Sequence, residues 1–126
     1  MESGAYTRCA EACNSCADAC DRCLSACLLE FDKGEMAHCV ALDLECAATC
    51  RLLAGFASRG STFAPQLAGF CSTMCAACQQ ECSKHSHDHC QRCAEACRRA
   101  MDALQGLMVL EESRGEVAEG SDAPIA

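Results

Sequence analysis

The chain sets small or apolar residues at alternating intervals of four and three, with charged and polar residues between them. The pattern is strictest near the start. In CAEACNSCADACDRCLSAC the recurring positions are Cys9, Cys13, Cys16, Cys20, Cys23 and Cys27, a 4-3-4-3-4 series. A mean spacing of three and a half residues is the seam repeat of a helix packed against neighbours. It predicts a helix over about 5–30, with Glu11, Asn14, Asp18, Asp21 and Arg22 on the solvent faces. Ala10, Ala12, Ala17 and Ala19 favour the helix and let other helices approach closely.

The same rhythm returns three more times, with breaks between. After FDKGE, where Asp32 and Glu35 read as a capping box, a second helix is expected over 33–56. Its seam is Met36, Cys39, Leu42 or Asp43, Cys46, Cys50 and Leu53. Hydrophobicity favours Leu42 inside and Asp43 in solvent. GFASRGST breaks the pattern with Gly55 and Gly60, and Ser61 or Thr62 is a candidate cap. Pro65 fits only the first turn of the third helix, expected over 62–83 with Leu67, Cys71, Cys75, Cys78 and Cys82 on its seam. SKHSHDH is the next connection, with Ser86 as N-cap of a fourth helix over 86–112 that aligns Cys90, Cys93, Cys97, Met101, Leu104 and Met108. Past Glu112 the periodicity lapses, and residues 113–126 are expected to be a disordered tail. Nothing reads as a strand. The expected fold is all-α: an antiparallel up-down-up-down four-helix bundle with a Cys-lined core, one domain over 1–112.

Antiparallel threading separates the bundle's ends by chemistry. Leu53, Phe56, Phe63, Leu67, Phe70, Met101, Leu104 and Met108 gather at one end as a hydrophobic plug. Cys27, Met36, His38, Cys39, Cys78, Cys82, His85, His87, His89 and Cys90 gather at the other, a mouth of soft and borderline metal ligands.

Composition sharpens this picture. Of 126 residues, 51% are hydrophobic, but 16 of these are Cys, only 5 are Phe or Tyr, and there is no Trp. A net charge of −8 with pI near 4.8 excludes the basic stripe of a nucleic-acid binder. No apolar run approaches the ~18 residues of a membrane span. MESGAYTRCA shows no charged n-region, apolar h-region or twin arginine, so the expected address is the cytosol, where thiols stay reduced.

That address argues against eight disulfides. Neighbours at i, i+3 and i+4 on one helix also project side by side, against the dihedral a disulfide needs. Structural zinc sites place Cys-x2-Cys pairs in turns, and each four-thiolate zinc leaves a net charge of about −2 to be buried. Cys9-x3-Cys13-x2-Cys16 spells the cluster motif of radical-SAM enzymes, but so do Cys16/Cys20/Cys23 and Cys71/Cys75/Cys78. Repetition in strict heptads marks it as a by-product of the seam, and ferredoxin spacing ending in Cys-Pro is absent. A monovalent soft ion matched one per thiolate leaves the core neutral, and Cu(I) prefers thiolate and thioether ligands. Sulfurs on neighbouring turns fit about twice a metal–sulfur bond of ~2.3 Å.

The Cys-x2-Cys and Cys-x3-Cys series on all four expected helices, over about residues 5–112, resembles the four-helix-bundle copper storage proteins, in their cytosolic branch. The resemblance implies a bundle assembled as a homotetramer, with lumen-facing cysteines holding multiple Cu(I) ions, and no enzymatic activity. It departs from an all-Cys lumen in the lower second helix and the far half of the fourth. The metal ligands expected are Cys9, Cys13, Cys16, Cys20, Cys23, Cys27, Cys39, Cys46, Cys50, Cys71, Cys75, Cys78, Cys82, Cys90, Cys93 and Cys97. His87, one helical step before Cys90, joins them at the mouth, while His38, His85 and His89 are expected in solvent. Met101 and Met108 read as core, and Met36 as either packing or a mouth ligand. A copper chaperone or a low-molecular-weight thiol is the donor such a store implies. The competing class is a zinc- or redox-dependent Cys-rich interaction module.

Overall fold

The computed structural model describes residues 3–30 and 33–121, with side chains described over 4–30 and 34–112. Four helices form: α1 (Ser3–Cys27), α2 (Lys33–Ser58), α3 (Ala64–Ser83) and α4 (Asp88–Ser121). α1 packs on α2 and α4, and α3 packs on the same two, so the helices stand at the corners of a square. The described residues contain no strand. This is the expected all-α four-helix bundle.

Local chemistry sets the helix ends. At the close of α2, Gly60 takes a positive φ of 67°. Its N–H donates to Ala57 O, and the Ser61 N–H donates to Phe56 O, both at 3.0 Å. This is a Schellman motif with glycine at its left-handed position. The expected cap at Ser61 acts one step outside the next helix: Ser61 Oγ accepts from the Phe63 N–H at 3.1 Å. α3 itself opens without a side-chain cap, with Pro65 in its first turn where no N–H is missed. α4 starts at Asp88, two residues later than expected, because the His87 carbonyl accepts the first helical bond, from Gln91 N–H at 3.1 Å. The Gln91 side chain reaches back to His85 O at 2.6 Å and holds the connection. The proposed capping residue Asp32 lies outside the described residues.

α1 ends at Cys27 rather than near residue 30, and α4 runs on to Ser121, past the start of the expected tail. Glu111, Glu112, Arg114, Glu116 and Ala118 are good helix formers, and no proline intervenes before Pro124. Residues 122–126 lie outside the described residues.

The plug differs from its expected membership. Its fully buried members are Leu53, Leu104 and Leu107, packed with Ala57, Ala64, Ala68 and Ala100. Phe63 and Phe70 are each 59% exposed, and Leu67, Met101 and Met108 are only partly buried. The 4-3 rhythm explains the exchange. On α3 it runs through Ala64, Ala68, Cys71, Cys75, Cys78 and Cys82, which leaves Phe63 and Phe70 one position off the seam. On α4 it runs through Cys93, Cys97, Ala100, Leu104 and Leu107, which turns Met101 and Met108 toward the flank.

Thiols contribute weakly to packing, so the plug anchors the metal-free bundle. Leu104→Ala should therefore cost the reduced apo-protein about 2–5 kcal/mol in chemical denaturation. Phe70→Ser, at an exposed position, should stay within about 0.5 kcal/mol. Circular dichroism of the reduced apo-protein should show a helix signal before any metal is added.

Candidate metal centre

Once each seam faces inward, sulfur is the main content of the interior. All sixteen cysteines are free and 0% exposed. Their sulfurs touch across every side of the square. Cys16 meets Cys46 at 4.0 Å and Cys97 at 3.7 Å. Cys39 meets Cys82 at 3.4 Å, and Cys78 meets Cys93 at 4.0 Å. Along single helices, Cys9–Cys13, Cys23–Cys27 and Cys78–Cys82 lie at 3.8–4.0 Å. With a metal–sulfur bond of about 2.3 Å, sulfurs stand ~4 Å apart around a trigonal metal and ~4.6 Å apart across a linear one. The core is spaced for either without moving a helix.

The sulfurs stack into overlapping groups whose ligand atoms lie within 4.8 Å of one another. From the mouth inward these include Cys23/Cys27/Cys39/Cys90, Cys20/Cys78/Cys93/Cys97, Cys16/Cys20/Cys46/Cys97 and Cys16/Cys46/Cys50/Cys75. Cys50 continues the chain of contacts to Cys71 at 3.7 Å. Cys16, Cys20, Cys46 and Cys97 each belong to more than one of these groups, and the outermost group joins the next through Cys39–Cys82 at 3.4 Å and Cys82–Cys78 at 4.0 Å, so the arrangement is one column of bridging sulfurs and not a set of separate tetrahedral sites. A zinc site, closed by four private ligands, has no use for sharing on this scale.

Asp43 corrects an expectation. It is 0% exposed and stands inside the column, while Leu42 takes the half-buried flank. Cys78 and Cys93 each donate to Asp43 Oδ1 at 3.3 Å, Cys82 at 3.8 Å, and Cys39 reaches Oδ2 at 3.9 Å. The rhythm Met36, Cys39, Asp43, Cys46, Cys50, Leu53 is unbroken, so the polar residue follows the seam against its own hydrophobicity. Burial, then the charge of Cys93, pushes its carboxyl up to about 8. The Asp43 carboxyl is accordingly protonated at neutral pH, and it is a further oxygen among the sulfurs.

Protonation matters equally for the thiols. Burial pushes Cys27 up to about 11, and it pushes Cys90 up as well. Contacts from Cys23 and Cys82 hold Cys39 down to about 3, while contacts with Cys23 and Cys39 push Cys82 up. Contacts with neighbouring thiols likewise hold Cys16, Cys46 and Cys93 down, so hydrogen-bonded thiols and thiolates share protons through the metal-free core.

The mouth is built by the α1–α2 and α3–α4 ends. Met36 is fully buried there. His38 is exposed, as expected, but His85 and His89 are not solvated: their side chains are 15% and 20% exposed. His85 Nε2 is bound to Glu81 at 2.9 Å, and that bond holds the Glu81 carboxyl below its usual range. His87 is stacked on His89 with ring centroids 5.2 Å apart, and both face Glu30 at 3.7 and 3.9 Å. The structure thus places His87 at the rim in a histidine pair, with a carboxylate and not a thiol as its ion-pair neighbour. No helix among the described residues is long and apolar enough to cross a membrane.

The chain is similar to four kinds of known sequence and structure that bear on this site. The copper storage protein family profile matches residues 2–108. A cysteine-rich protein of Bacillus subtilis, YhjQ, is 43% identical over 88 residues, which is 70% of this chain and 82% of that protein. The Cu(I)-bound copper storage protein BsCsp3 superposes with a TM-score of 0.77 at 37% identity, covering 82% of this chain and 97% of that one. A cytosolic copper storage protein of Streptomyces lividans, solved with five coppers, gives a TM-score of 0.81 at 38% identity, over 85% of this chain and 94% of that one.

The buried carboxyl has a readable consequence. Its pKa lies above the usual Asp value, so the folded apo-protein holds a proton that the unfolded chain releases. That contribution to stability is complete below about pH 4 and is lost as pH rises through about 8. Asp43→Asn should therefore match the parent near pH 4 and exceed it at pH 8 by on the order of 5 kcal/mol in denaturant titrations of the reduced apo-protein.

Proposed function

This chain belongs to the copper storage protein family, and on that premise we propose that it is a cytosolic store that sequesters multiple Cu(I) ions on the thiolates lining its bundle. The observation that carries this reading is the continuous column of sixteen buried, unoxidised sulfurs at metal-bridging distances. All sixteen cysteines act as ligands, and residues 1–112 form the storage domain. The chain acts as a reservoir and catalyses no reaction.

Charge balance sets how the store fills. A neutral thiol gives up one proton as it takes one Cu(I), so each step exchanges one positive charge for another inside a low-dielectric core. A divalent ion on four thiolates would instead leave negative charge buried at every site. The zinc- or redox-module reading therefore loses its physical support at this density of sulfur.

Ions enter at the histidine mouth. His87, paired with His89 at the rim, acts as a transient ligand that passes Cu(I) to Cys90 and Cys27, whose sulfurs stand 3.8 Å apart. From there the overlapping groups offer a new partner at each step inward. A copper chaperone or a low-molecular-weight thiol supplies the ion. The working unit is a homotetramer, in line with the exposed Phe63, just before α3, and Phe70 on α3.

Anaerobic titration of reduced protein should saturate near one Cu(I) per thiolate and release about one proton per ion at pH 7, read with a pH indicator. Saturation at one or two ions would refute storage. His87→Ala should slow loading in stopped-flow absorbance while leaving the saturating amount of copper unchanged; a drop in capacity with unaltered rate would place His87 outside the uptake route.

A further inference from the structure

Where α1 meets α4, a groove of about 580 Å³ opens on the outside of the bundle. Its floor is made of small residues, Ala12, Ser15, Ala19 and Ala96, and its rim carries Arg8, Arg22, Arg92 and Arg99. Four of the chain's ten basic residues thus line one groove, which holds only two of its eighteen acidic ones, Glu11 and Glu95. Glu95 is occupied by Arg98 and lies 3.9 Å from Arg99, and Arg92 pairs with Asp88. Arg8 and Arg22 have no ion-pair partner among the described residues. On a chain of net charge −8, this groove is a local reversal of sign.

The groove also leads somewhere. His89 lines it at the mouth end. The His89 Nε2 is buried without a hydrogen-bond partner among the described residues. The next residue is Cys90, whose sulfur lies 3.8 Å from that of Cys27 and belongs to the outermost thiol group. The mouth end of the groove thus lies one residue along α4 from Cys90, at the outermost thiol group.

We propose that this groove binds anionic Cu(I) complexes of small, carboxylate-bearing thiols and holds them beside the mouth for transfer. The proposal rests on the storage reading. The unpaired guanidinium groups of Arg8 and Arg22 suit carboxylates, Arg92 and Arg99 add positive charge beside their own partners, and a volume of this size suits a small ligand better than a single ion. On a chain of net charge −8, a cationic groove concentrates an anionic donor beside the mouth. The transfer is a ligand exchange without redox change. The carrier's sulfur–copper bond breaks, a bond from Cu(I) to a cysteine sulfur forms, and the cysteine's proton leaves on the carrier's thiol.

The test compares loading of the reduced full chain from the Cu(I) complex of glutathione and from that of glutathione diethyl ester, the same thiol without free carboxylates. The parent protein should load faster from the first donor. In Arg8→Gln/Arg22→Gln/Arg99→Gln, loading from the glutathione complex should slow by about tenfold, with the ester donor unaffected. Arg22→Gln alone should show a smaller slowing of the same selectivity, and it serves if the triple variant loses helicity by circular dichroism. Equal slowing from both donors, or none, overturns the proposal. Total copper bound at saturation reads the storage function separately: the variants should keep the parent's capacity, and a parent that fails to fill would sink the storage reading on its own.

Discussion

The structure depends on one constraint: the alternation of three- and four-residue steps must hold without a slip through all four helices. A helix turns about 100° per residue, so a single misplaced step would swing a thiol onto the solvent face and break the chain of sulfur contacts. Because the alternation holds, each helix delivers one seam side chain to the interior per turn, sixteen of them sulfurs, and four such stripes interleave. The contacts at 3.4–4.0 Å across the bundle follow from register and need no special loop or strained backbone.

The same constraint decides what was legible in the sequence. The cysteine spacings alone predicted the helices, the bundle and the inward face of every thiol. Where cysteine gave way to other residues, hydrophobicity competed with rhythm, and rhythm prevailed. Asp43 lies inside although Leu42 is more apolar, Leu107 is buried and Met108 is not, and Phe70 faces water beside the seam residue Cys71. Small residues filled the remaining seam positions: Ala64, Ala68 and Ala100 carry no hydrophobic signal strong enough to announce a core. The groove between α1 and α4 was less visible still, because Arg8, Arg22, Arg92 and Arg99 come from two helices and converge only through packing.

Electrostatics links the interior to the exterior. A thiol core is tolerable without metal because burial keeps groups such as Cys27 and Cys90 protonated. It is tolerable with metal if each departing proton is replaced by one monovalent ion. Asp43 obeys the same logic, since a carboxyl pushed up to about 8 enters the core uncharged. On the surface, Arg51 bridges Asp18 and Asp21 between α1 and α2.

Placing the hydrophobic plug at the end away from the mouth separates folding from filling. If sulfur supplied the only cohesion, the chain would need copper in order to fold, and a store that collapses when emptied could not be reused. Leu53, Leu104 and Leu107 give the bundle a metal-independent anchor at one end, while the shared sulfurs of the column leave the rest free to gain or lose ions in steps. The cost is a core of weakly packing side chains along most of its length, which short alanine-rich helix contacts offset by bringing the backbones close. A bundle built this way is already shaped for its cargo when empty, so uptake is limited by delivery to the mouth and not by refolding.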